Sequence, residues 1–133
     1  MSGELMVGIY NLNWNFERLR LEEGAETTIN GVLKYQISEK GLEEINKSYG
    51  NLTFHAIEEL LHYRIMDALF RTMRETSGSD LLQQKDIVQN RTRVVVRNSL
   101  QEMGLEYVDF VLTHIWIWGR EDLEELKQME DKS

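Results

Sequence analysis

The sequence predicts an α+β fold: a mostly antiparallel sheet, built from the N-terminal third and one C-terminal strand, with two long helices covering one face. Three observations carry this expectation. Up to Ile37 the chain is rich in β-branched and aromatic residues set among polar ones. Between Phe54 and Met103 apolar residues recur at helical steps. After Gly104 polarity alternates with a period of two. A helix stripe and a sheet face that are each apolar on one side bury against each other, which gives a two-layer architecture.

The elements follow in order. Leu5 to Leu12 is apolar-rich, and Phe16, Leu19 and Leu21 flank alternating charges. Glu22-Glu23-Gly24 supplies a turn, after which Thr27 to Ile37 resumes strand-like residues around Asn30-Gly31. That Asn-Gly pair fits either a type I′ hairpin turn or a bulge within one strand. Ser38 caps a short helix from Glu39 to Ser48, and Tyr49-Gly50-Asn51 punctuates. From Leu52 to Glu75, Phe54, Ile57, Leu61, Ile65, Ala68 and Leu69 make the stripe of an amphipathic helix, ended by Thr76-Ser77-Gly78-Ser79.

Asp80 or Ser79 then caps a second long helix. Its apolar positions Leu81, Val88, Val95 and Met103, with Leu82, Val96 and Leu100 beside them, predict one unbroken element ending at Met103. Gly104 suits the position just past a helix end, where a positive φ costs glycine little. Beyond it Val108, Phe110, Leu112, His114, Trp116 and Trp118 alternate with other residues, which predicts a strand carrying all six on one apolar face. On this reading His114 is a buried, hydrogen-bonded core histidine. Residues 1–119 form the core domain, and 120–133 start a C-terminal helix in which Leu123 and Leu126 are the first steps of a coiled coil.

Composition narrows the function classes. A chain of 133 residues fits one domain. It has no cysteine, which removes disulfides, thiolate zinc sites and cysteine nucleophiles. A formal net charge of −8 opposes binding to nucleic acid and to anionic lipid heads. No apolar run approaches the roughly 18 residues that span a bilayer, and Met1 to Tyr10 lacks the basic and apolar regions of a signal peptide. The chain itself therefore reads as soluble. Asn46, Asn51 and Asn90 head glycosylation patterns, which are read as chance matches without an export signal.

Several segments taken together resemble a known family. Leu81-Leu82-Gln83-Gln84-Lys85-Asp86-Ile87 is similar to the segment of SPFH (stomatin/prohibitin/flotillin, or band 7) domains in which two leucines precede a basic–acidic pair opening a long helix. Gly104-Leu105-Glu106-Tyr107-Val108-Asp109-Phe110-Val111-Leu112 resembles the glycine and closing strand that follow one helix later. Ile29-Asn30-Gly31-Val32-Leu33-Lys34-Tyr35-Gln36-Ile37 resembles the family's Val-Asp-Gly-Val strand, and Leu69-Phe70-Arg71 falls where a Leu-Arg pair is frequent. The likeness runs from Ile29 to Ile117. Lys85 stands where many members carry arginine, and the prolines usual near the domain ends are absent.

The resemblance implies a non-enzymatic, membrane-associated scaffold that self-assembles and organises or regulates partners such as a protease or channel. It implies attachment on the cytoplasmic side through segments outside this chain, with no cofactor. It also assigns contacts between subunits to Arg91, Arg93, Arg97, Glu102, Trp118, Leu123 and Leu126.

The alternative from the residues alone is a small metal- or ligand-binding protein. His55 and His62 lie seven apart on one helix, and Glu59-Leu60-Leu61-His62 matches the Glu-x-x-His of di-iron bundles. That site also needs a second such motif on a facing helix, and the sequence holds no second copy. No phosphate-binding glycine loop, nucleophile elbow or His-Glu-x-x-His occurs.

Overall fold

A computed structural model describes residues 4–50 and 52–118, and within them the expected α+β architecture is realised. Strands β1 (Gly8–Arg20), β2 (Glu26–Ile37) and β3 (Glu106–Trp118) form an antiparallel sheet in the order β1-β2-β3. Helices α1 (Glu39–Tyr49), α2 (Phe54–Arg74), α3 (Gly78–Gln83) and α4 (Lys85–Glu102) lie between β2 and β3 in sequence. The C-terminal helix, with Leu123 and Leu126, lies outside the described residues.

The β1–β2 hairpin turns where Glu22-Glu23-Gly24 predicts it. The Leu21 N–H donates to the Ala25 carbonyl at 2.8 Å, and Gly24 takes φ +92°. In β2, Thr27, Ile29, Gly31, Leu33, Tyr35 and Ile37 all point into the core, so the two readings of Asn30-Gly31 resolve to one strand. A register shift does fall there, opposite β3. Glycine is needed at position 31 because the Trp14 ring crosses the strand at that point. A Cβ would run into that ring and into the Val111 carbonyl oxygen. Trp14 thereby reaches Phe110 on the far strand and stacks on it, with ring centroids 5.2 Å apart and planes 9° from parallel.

Helices α1 and α2 start where their sequences supply a cap. The Ser38 hydroxyl accepts from the Gly41 N–H at 3.0 Å, and the Thr53 hydroxyl accepts from the Ala56 N–H at 3.1 Å. The α2 stripe is buried from Ile57 to Met73 against the sheet.

The second long helix differs from expectation. It is two helices, broken at Gln84 (φ −125°, ψ 44°), and α3 is capped by Ser77 rather than by Ser79 or Asp80. The start of α3 is tied to the hairpin: Glu23 Oε1 accepts from the Gly78 N–H, and the Glu22 N–H donates to the Thr76 carbonyl. With α3 pinned there, α4 runs in its own direction and buries Val88, Thr92, Val96 and Leu100. Val95 is partly buried and packs at the margin of the core, while Leu82 of α3 is 46% exposed.

The end of α4 follows expectation. Gly104 has φ +84°, its N–H donates to the Gln101 carbonyl, and the Leu105 N–H donates to the Leu100 carbonyl. These two bonds form a Schellman motif, completed by burial of Leu100 and Leu105. The same backbone lies against Gly41 of α1, where a Cβ would strike the Gly104 carbonyl oxygen.

β3 corrects the single-face reading of its sequence. Its pairing with β2 slips twice, between Asn30 and Gly31 and between Lys34 and Tyr35. Each slip leaves one β3 residue, Thr113 and Val108, without a partner, and each inverts the alternation. Tyr107, Phe110, Leu112, Ile115 and Ile117 face the helices, while His114 and Trp116 face the other way. His114 is exposed and sits across from Asn30, so it is not a core histidine.

Candidate functional site

Four of the seven residues to which the resemblance assigns contacts lie on α4, three of them exposed. Arg91 and Arg97 are exposed there, near Ile87 and Val94, which are 48% and 47% exposed. Ile87, Arg91 and Val94 recur at four- and three-residue steps, so they share one helix face. Glu102 is also exposed and pairs with Arg64 of α2 at 3.4 Å, a surface contact of small energetic weight.

Arg93 is placed differently. It is partly buried, its Nη2 donates to the Phe110 carbonyl at 3.0 Å, and its Nη1 donates to Asn90 Oδ1 at 2.7 Å. Asp109 lies 3.8 Å from the same guanidinium. One turn earlier, Gln89 Oε1 accepts from the Leu112 N–H at 2.9 Å. Together Arg93 and Gln89 occupy the outer edge of β3 at Phe110 and Leu112, where an unpaired strand edge would otherwise invite another chain. Burial pushes the neighbouring Tyr107 phenol above its ordinary range, with Arg93 pulling it partly back. Arg93 thus holds its own sheet, whereas Arg91 and Arg97 remain available to a partner.

Trp118 pairs through its backbone with Glu26 at the end of β3. Leu123 and Leu126 lie outside the described residues. The alternative set does not converge. His55 is exposed and pairs with Glu59 at 3.0 Å, while His62 turns toward the Phe16 ring, 6.0 Å between centroids. Among the described residues no group of three histidine or acidic side chains is placed to hold a metal ion.

A surface that sequence reading missed is the sheet face turned away from the helices. Ile9, Val111 and Trp116 stand on it at 58%, 37% and 63% exposure. A shallow depression of about 340 Å³ lies there, lined by Asn13, Asn15, Asn30 and Thr113 with the backbone around Gly31. The Asn30 Oδ1 atom is buried and lacks a hydrogen-bond partner. The asparagines at positions 11, 13 and 15 were the available signal, since a period of two in amides marks a second, uncovered strand face.

No protein-family model matches the chain. No curated protein matches it in sequence.

Proposed function

We propose that the chain is a non-enzymatic SPFH-type scaffold domain, membrane-associated in its natural setting, that self-assembles and organises or regulates partner proteins such as a protease or channel. The observation that carries this reading is the α4–Gly104–β3 unit. A long helix, a glycine with φ +84° and a closing strand follow one another over the stretch where the residues resemble that family. The order of the remaining elements, strands before helices before a final strand, supports it too. In this reading the exposed residues Arg91, Arg97 and Glu102 make lateral contacts, and Leu123, Leu126 and Trp118 extend them.

No described helix is long and apolar enough to cross a membrane, so attachment here falls to segments outside the chain. Static light scattering across a wide concentration range tests the self-assembly. The expected mass rises above the 15.7 kDa of one chain as concentration increases. A constant single-chain mass up to the solubility limit removes the scaffold reading.

A further inference from the structure

The sheet face that the described helices leave uncovered has the chemistry of a surface that meets its own copy. The chain as a whole carries a formal net charge of −8, so two copies repel one another over most approaches. On this face the charges instead come as opposite partners across the strands. Glu26 is paired with Arg18 at 3.3 Å and has Arg20 opposite it in the register, and Lys34 stands opposite Asp109. The centre of the face is uncharged. Two identical molecules therefore approach there against the least repulsion.

The uncharged centre is also self-complementary. Asn11, Asn13 and Asn15 occupy every second position of β1, with Asn30 opposite Asn15. An amide carries both donors and acceptors, so a row of asparagines can hydrogen-bond to another such row, which a row of acids or of bases cannot do. The face also holds a knob and a hole. Trp116 is 63% exposed, and the depression beside Asn15, Asn30 and Thr113 begins two residues along the sheet from its partner Thr28. A twofold axis passing between them would seat each knob in the other copy's hole at once, the self-matching contact of a twofold dimer.

We propose that this face is a twofold contact between two copies of the chain, with the Trp116 ring of each seated in the other's depression. The proposal rests on the self-assembling reading above and names the surface through which it begins. Three strands of this length offer a face roughly 40 Å by 15 Å. That is somewhat below the ~800 Å² per partner of a standard interface and falls among the smaller, transient contacts, so the pairing is expected to depend on concentration.

The full chain contains no cysteine, which makes single-cysteine variants informative. Asn30→Cys, on the central strand between Trp116 and the depression and so beside the twofold axis, is expected to form a disulfide-linked dimer on mild oxidation, whereas Glu43→Cys, exposed on α1, is expected to remain monomeric. Sedimentation of Trp116→Ser, with its fold checked by circular dichroism, should show association at least tenfold weaker than the unaltered chain. If Trp116→Ser does not fold, the cysteine pair still decides the matter. If the unaltered chain associates but Trp116→Ser associates equally, or Glu43→Cys cross-links in place of Asn30→Cys, the sheet face is overturned and the scaffold reading stands. If the unaltered chain stays monomeric at every concentration, both fall.

Discussion

The two faces of one sheet obey different rules. Toward the helices, β2 presents Ile29, Leu33, Tyr35 and Ile37, all with no solvent exposure, and Phe110 of β3 is equally enclosed. Away from the helices the same strands present asparagines, paired opposite charges and the exposed Trp116 ring. The covered face stabilises the fold by removing apolar area from water and by close packing. The side chains of the other face are half-buried or exposed and remove less apolar area from water, so its composition is freer to serve contact with another molecule. Large aromatic residues occur on both, and their position in the register rather than their type separates the roles.

Matched truncations would break or sharpen this contrast most directly. Phe110→Ala removes a fully enclosed ring stacked on Trp14 and should cost about 3–5 kcal/mol of unfolding free energy. Trp116→Ala should cost less than about 1 kcal/mol, the scale of a cross-strand pair on an exposed surface. Urea denaturation of the two variants measures both values, and similar losses would erase the distinction between the faces.

A smaller effect is expected at the turn that delivers β3 to the sheet. Gly104 combines φ +84° with a near contact to the Gly41 carbonyl oxygen, 3.3 Å from where a Cβ would stand. Gly104→Val should therefore lower stability by roughly 1–2 kcal/mol or more, since a β-branched residue is strained in that region. Thermal melts of the two chains side by side would show it as a lower Tm, and an unchanged Tm would mean that the loop relaxes at no cost.

The smallest effect concerns Tyr35 on the covered face. Its hydroxyl is buried and lacks a hydrogen-bond partner, and burial raises its pKa above the ordinary tyrosine range, with nearby Glu58 and Tyr10 adding to the shift. The folded state thus keeps a proton that the unfolded chain releases near pH ~10. Stability contributed by this difference is fully present below that pH and is lost as pH rises above it. Tyr35→Phe removes an unsatisfied polar group, so near neutral pH its stability should be equal or higher by up to about 1 kcal/mol. Its alkaline unfolding should also begin at higher pH. An alkaline transition that does not move would assign the pH dependence to other tyrosines.

Much of the covered layer was legible in the sequence because its signals are local. The α2 stripe, the cap at Ser38, the hairpin turn at Gly24 and the stop at Gly104 each depend on residues within a turn or two of one another. The break at Gln84 was not legible, since Gln83-Gln84-Lys85 carries neither glycine nor proline. It accompanies ties that only the tertiary structure makes: Glu22 and Glu23 of the hairpin, distant in sequence, bond to Thr76 and Gly78 at the start of α3. Arg93 reads as one more surface arginine until β3 is placed beside it, when its guanidinium meets the Phe110 carbonyl.

By itself, then, the sequence determined the fold class, the hairpin, the helix–glycine–strand unit and the apolar stripe of α2, all of them set by short-range periodicity and backbone preference. Only the tertiary structure decided which way Trp116 and His114 face. A bulge is a mismatch in length between two paired strands, so it is a property of the pair and leaves no mark on β3 alone. The slip between Asn30 and Gly31, which skips Thr113, turned His114 and Trp116 to the face opposite Phe110 and Leu112, the one that the described helices leave uncovered.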